Sequence, residues 1–207
     1  MDFSDRRLYL CMSDREDLAD FLTQVLDGGV DIVQLRDKVA DAASQLRRAE
    51  LAMEICARYN VPFIMNDRPD LALHLGADGV HVGQDDAPVS LCRRLLGEAS
   101  IIGLSTHSNE ELEVALTLPV TYLSAGPVEA TPTKPGRPGV GASYVARACA
   151  DATVPVFVTG GVTAEKVRGL GDIGVSHFVV VRALTEAKEP FRAAQALRLA
   201  IDAATNA

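Results

Sequence analysis

"VDIVQLRDK", Val30 to Lys38, opens as an apolar, β-branched run and then turns polar at every second position: Gln34, Arg36 and Lys38. Side chains alternate across a strand, so these three share one face where the extended path continues, while Val33 and Leu35 take the other. The apolar pair can bury against helices. An amide and two cations facing inward at the end of a strand cost too much desolvation unless an anion binds there. The competing reading is an ordinary salt-bridged strand end involving Asp37.

Working outward, short β-rich runs alternate with longer helical patterns along the whole chain, and nearly every junction carries Gly, Pro, Asp or Asn. The strands expected are "RLYLCM", "VDIVQLR", "PFIMND", "DGVHVG", "SIIGLST", "VTYLSAG", "PVFVTGG" and "SHFVVVRAL", with amphipathic stretches between them such as Asp17 to Leu26 and Ala42 to Tyr59. That is about eight βα units, the number that closes a (β/α)8 TIM barrel, here at the compact end of that fold's size range. The rival is a doubly wound open α/β sheet. It would show fewer strands and a glycine-rich turn after the first, whereas "CMSDRED" contains no glycine.

The chain has 207 residues, 48% of them hydrophobic, which suits one core and a single domain over residues 1–207. A net charge of -8 argues against nucleic acid and anionic membranes as partners. No apolar run reaches the ~20 residues that span a bilayer, and "MDFSDRRLYL" lacks the marks of a signal peptide, so a cytoplasmic location is expected. Cys11, Cys56, Cys92 and Cys149 stand far apart without a C-x-x-C pair and read as reduced, packed thiols. Oligomeric state is left open, a homo-oligomer included.

In a barrel of this type the active site lies where the strands run out into the following loops. Unusual polar residues do sit there: "QLRDK", "MNDR", "GQDD", "LSTHS" and "PVEATPTKPGRPG" each follow an apolar run. The longest break, Glu129 to Val140, suits a mobile active-site loop better than a linker. "MNDRPD" and "VGQDD" place Asn66, Asp67, Asp85 and Asp86 after adjacent strands, where carboxylates can share one hard cation. Oxygen ligands without a nearby His or Cys pair point to Mg²⁺, which keeps waters and accepts phosphate oxygens. The alternative is helix capping, since Asp67 and Asp86 both precede good helix starts.

"TPTKPGRPG" offers Thr131 and Thr133 beside Lys134, a set able to bind phosphate or to form a solvated loop. "VTGGV", Val158 to Val162, ends the seventh strand with a glycine pair that lets backbone N–H groups approach a phosphate, or that only meets the dihedral demand of a turn. Among the histidines, His81 and His107 fall near the expected mouth, while His74 and His177 read as structural or surface residues. No Ser/His/Asp arrangement is assignable.

These motifs together, "QLRDK", "ND", "HVGQDD", "GLSTHS", "GP" followed by "TPTK", and "GGV", resemble the thiamine phosphate synthase family nearly end to end, in its order and near its spacing. The resemblance implies a barrel enzyme that joins hydroxymethylpyrimidine diphosphate to a thiazole phosphate, giving thiamine phosphate and pyrophosphate. Matched motif by motif, it implies that Gln34, Arg36 and Lys38 meet the pyrimidine diphosphate, with Asn66, Ser105 and Lys134 beside them. Asp67 and Asp86 would hold Mg²⁺. Thr131 and Thr133, with backbone groups at Gly161, Val181 and Arg182, would receive the thiazole phosphate. The implied reaction is dissociative: pyrophosphate leaves, a pyrimidine-stabilised carbocation forms, and the thiazole nitrogen captures it. Arg36, Lys38, Ser105 and Lys134 are then the catalytic set, with no protein nucleophile.

Two positions depart from the family pattern: Arg182 in "VVVRAL", where many members have Ser, and Thr159 in "VTGGV", where they have a small apolar residue. The nearest rival, a thiazole tautomerase on the same fold, would carry a His where this chain has Pro127. A non-catalytic phosphate-binding regulator is the reading from a different class.

Overall fold

The computed structural model describes residue 3, residues 5–130 and residues 138–205. Eight parallel strands close on themselves in sequence order: β1 (Leu8–Met12), β2 (Ile32–Leu35), β3 (Phe63–Asn66), β4 (Gly79–Val82), β5 (Ile101–Thr106), β6 (Tyr122–Ala125), β7 (Val156–Val158) and β8 (His177–Val180). The last pairs with the first through Leu8–Phe178, Tyr9–Val179 and Leu10–Val180. That pairing excludes the open sheet and gives the (β/α)8 barrel.

Between the strands run α1 (Leu18–Asp27), α2 (Ala42–Arg58), α3 (Pro69–Leu75), α4 (Val89–Leu96), α5 (Asn109–Ala115), α6 (Gly141–Asp151) and α7 (Ala164–Gly171), followed after β8 by α8 (Arg182–Thr185) and α9 (Pro190–Thr205). Their sequences show why they pack on the sheet. In α1, Leu18, Phe21, Leu22, Val25 and Leu26 recur at helical spacing and are all buried, each such side chain contributing about 1.5–3 kcal/mol over an exposed one. Helix α2 starts at Asp41, whose carboxylate accepts the Ser44 N–H at 2.9 Å, and α5 starts at Ser108, whose hydroxyl accepts the Glu111 N–H at 3.2 Å.

The alternation expected of β2 holds. Val33 and Leu35 join the core between sheet and helices, whereas Ile32 faces the barrel interior with Tyr9, Cys11, Ile64, Ile101, Tyr122, Phe157 and Val179. Phe3 closes the end of that interior opposite the strand C-termini, its ring 5.1 Å from Tyr122 and 5.7 Å from Phe157. The strands are all shorter than the quoted runs, the last most of all: "SHFVVVRAL" is strand only over His177–Val180. Val181 leaves the extended region with ψ at -90°, and Arg182 begins α8. Cys56, Cys92 and Cys149 are thiols, and burial pushes Cys56 up to about 12. Among the described residues, no helix is long and apolar enough to cross a membrane.

Candidate active site

At the C-terminal ends of the strands lies a cavity of about 730 Å³. It gathers residues that are remote in sequence because each sits at, or just past, the end of a strand. Gln34, Arg36 and Lys38 reach it from β2, Asn66 and Asp67 from β3, Asp86 from the loop after β4, Ser105 from β5, Gly161 from the turn after β7, and Val181 and Arg182 from the end of β8. Every expected site residue that the structure describes is therefore on one cavity. Thr131, Thr133 and Lys134 lie outside the described residues. The flanks of their segment are joined: Val140 N–H donates to the Pro127 carbonyl at 2.8 Å, and Gly141 N–H to that of Val128 at 3.2 Å.

The salt-bridged reading of "QLRDK" holds for Lys38, but not through Asp37. Asp37 Oδ1 accepts the N–H groups of Val39 and Ala40 at 2.9 Å each, making a local turn. Lys38 pairs instead across strands, its Nζ 2.9 Å from Asp67 Oδ2. Half-buried Arg36 has no anionic partner among the described residues.

The capping reading of the two aspartates fails as well. The residues at the starts of α3 and α4 are Arg68 and Pro88, and neither helix takes a side-chain cap. Asp67 instead adopts φ = 59°, a left-handed conformation sparsely used outside glycine, with its N–H held by the His81 carbonyl at 2.8 Å. Asp86 Oδ2 accepts the Gly83 N–H at 2.8 Å. Burial, and then the Asp67 carboxyl within hydrogen-bonding reach, hold the Asp86 carboxyl above its ordinary range, against the pull of the Gly83 N–H and Lys38. Asp67 and Asp86 thus stand side by side, with Lys38 on Asp67.

The turn reading of "VTGGV" holds. Gly160 and Gly161 have φ of 107° and 72°. A Cβ at Gly160 would stand 2.5 Å from Val128 N and 2.6 Å from Pro127 Cα, so the turn needs glycine there for space as well. Gly161 also borders the cavity. Glu129 crosses to α7 through a 2.6 Å ion pair with Lys166 and closes this side.

Several cavity residues carry little signal in the sequence. Tyr9, Cys11, His81 and Ser124 line the floor. Their inward parity on the strands was readable, but that they meet one another was not. Gln84, inside the quoted "HVGQDD", donates to the Ser105 carbonyl at 2.6 Å. His107 Nδ1 lies 2.9 Å from Glu111 Oε2, which also accepts the His107 N–H at 2.7 Å. His177 is half-buried at the start of β8, 2.8 Å from Ser176 Oγ and edge-on to Phe157.

Comparison with known proteins agrees with this geometry. The family described as thiamine monophosphate synthase matches residues 8–184. A thiamine-phosphate synthase of Thermobifida fusca is 45% identical over 207 residues, covering 97% of this chain and 94% of that protein. One of Acidothermus cellulolyticus is 42% identical, covering 92% of each. One of Nostoc punctiforme is also 42% identical, over 89% of this chain but only 52% of its own greater length. Among solved structures, a thiamine phosphate pyrophosphorylase from Pyrococcus furiosus superposes with a TM-score of 0.88 at 26% identity, covering 96% of each chain. The chain belongs to the thiamine monophosphate synthase family.

Proposed function

We propose that this protein is a thiamine phosphate synthase, a transferase that condenses hydroxymethylpyrimidine diphosphate with a thiazole phosphate and releases pyrophosphate. The observation that carries the reading is the pairing of Arg36, without an anion among the described residues, with Lys38 on one cavity with Asp67 and Asp86. That is an arrangement for a diphosphate and a hard cation. Among the described residues no group of three or more His, Cys, Asp or Glu converges as a metal site. Two carboxylates nevertheless suit Mg²⁺, which binds through one or two of them and takes its remaining oxygens from water and substrate phosphates. When bound, Mg²⁺ supplies positive charge to the leaving diphosphate.

The chain's own residues do the rest. As the carbon–oxygen bond breaks, negative charge grows on the departing pyrophosphate, and Arg36 and Lys38 stabilise it only because they are placed beforehand. At ~4 Å and an effective dielectric near 20, one such contact amounts to ~4 kcal/mol before solvation costs. Asn66, Gln34 and Ser105 orient the pyrimidine on the cavity floor, and the turn at Gly161 with Val181 and Arg182 receives the thiazole phosphate through main-chain N–H groups. Thr131, Thr133 and Lys134 belong to the same proposal by their motif. No side chain is required as a nucleophile, because the thiazole nitrogen captures the carbocation.

The test is direct. Purified protein with Mg²⁺ and both substrates should yield thiamine phosphate and pyrophosphate in equal amounts. Binding of the thiazole phosphate without product would overturn the reading in favour of a tautomerase or a phosphate-binding regulator.

A further inference from the structure

Beneath the cavity an unbroken chain of side-chain hydrogen bonds crosses the barrel. Cys11 Sγ donates to Gln34 Oε1 at 3.1 Å, and Gln34 Nε2 donates to the Tyr9 hydroxyl at 2.6 Å. The Tyr9 and Tyr122 hydroxyls lie 2.8 Å apart. Tyr122 Oη is 2.9 Å from His81 Nδ1, and His81 Nε2 is 2.9 Å from Ser105 Oγ. All six residues are buried, all but Tyr122 border the cavity floor, and the chain ends there on Ser105. It draws on β1, β2, β4, β5 and β6, so it exists only because the sheet is closed.

The amide of Gln34 gives this chain a direction. A hydroxyl has one proton to donate. A hydroxyl oxygen also accepts twice, so the direction follows from matching every phenol proton within the chain: with the Gln34 N–H on Tyr9, that arrangement sends the Tyr9 proton to Tyr122 and the Tyr122 proton to His81 Nδ1. In that arrangement His81 Nδ1 is bare and Nε2 protonated, with Nε2–H donating to Ser105 Oγ. The Ser105 proton is left to point into the cavity. Burial raises both tyrosines well above their ordinary range, so neither phenol loses the proton on which the sequence depends. Space for the crossing is made at Gly103, where a Cβ would stand 2.1 Å from Tyr122 Cζ and 2.6 Å from His81 Nδ1.

We propose that Tyr9, Tyr122 and His81 are positioning residues that fix Ser105 as a hydrogen-bond donor, so that the floor accepts only a ring edge that presents an acceptor. An aminopyrimidine ring nitrogen meets that demand. A ring whose corresponding edge carries N–H does not, because it would set two donors face to face in a buried site. The substrate half of this inference rests on the synthase reading. The polarity of the chain does not.

The test has two arms. In ligand-free protein labelled with ¹⁵N-histidine and held near neutral pH, the His81 ring, assigned through bonds from its backbone, should show Nε2 protonated and Nδ1 bare. The opposite tautomer, in which Ser105 becomes the donor to His81, or a doubly protonated ring, overturns the proposal whatever the enzyme makes. Tyr122→Phe keeps the ring against Phe3 and Phe157 but deletes the hydroxyl. It should mix the His81 tautomers and raise KM for the pyrimidine diphosphate about tenfold, leaving KM for the thiazole phosphate near its original value. An unchanged His81 spectrum, or an equal rise in both KM values, overturns it. If the wild-type protein makes no thiamine phosphate, the synthase reading falls, and the ¹⁵N spectrum still decides the polarity.

Discussion

Lys38 and Asp67 meet at 2.9 Å across the ends of β2 and β3, with the Lys38 side chain still half exposed. An ion pair this open contributes only ~0–1 kcal/mol to stability, so its value lies in what it holds ready. Lys38→Ala and Asp67→Ala should each lower kcat by about a hundredfold or more while the unfolding midpoint hardly moves. Steady-state kinetics beside thermal unfolding check both halves, and normal turnover in either variant would contradict the assigned roles.

Metal dependence should be strict. Stripping divalent ions with a chelator should stop product formation, and Mg²⁺ should restore it. Because Asp86 faces Asp67, Asp86→Asn should still fold but need at least about tenfold more Mg²⁺ for half-maximal rate. A titration of rate against Mg²⁺ concentration reads this out.

Gly160 stands where the turn after β7 touches the backbone of Val128 and Pro127. Gly160→Ala forces a Cβ into that contact at φ = 107° and should lower unfolding free energy by about 1–3 kcal/mol. Thiazole phosphate affinity should weaken with it, because Gly161 shares the turn. Urea unfolding and calorimetric titration measure the two effects.

Asp41 carries a pH signature away from the site. The Ser44 N–H, and then the Ser44 hydroxyl, hold its carboxyl below the ordinary value of 3.8. A depressed folded pKa means that the cap's ionic contribution is present above the unfolded value and fades as pH falls through the folded one. Asp41→Ala should therefore lower the melting temperature by a few degrees at neutral pH, and the gap to the wild type should narrow below pH 3.8. Melting curves across an acid series test this.

Much of this was legible in the chain because strand ends mark themselves. Gln34, Arg36 and Lys38 announce a polar mouth by alternation alone, and the repeated βα rhythm counts out a closed barrel. The two aspartates were ambiguous, since a carboxylate just before a helix serves equally as cap or ligand. Only the placement of Arg68 and Pro88 at the helix starts decides between them. Residue spacing could not reveal the bond between Tyr9 and Tyr122, because their strands lie far apart along the chain and meet only through the interior of a closed sheet. The end of β8 was misjudged because "VVVRAL" stays apolar after the backbone has already turned into α8.

Phe3, wedged under Tyr122 and Phe157, completes the packed filling of the barrel at its far end. Among the described residues, reactants and products then meet the protein on the face where the strands end. On the proposed assignment the pyrimidine seats deepest and has to arrive before the thiazole, while the coupled product leaves by the route along which both came. On that assignment the order of addition follows from a barrel filled from below by packed side chains, Phe3 last among them.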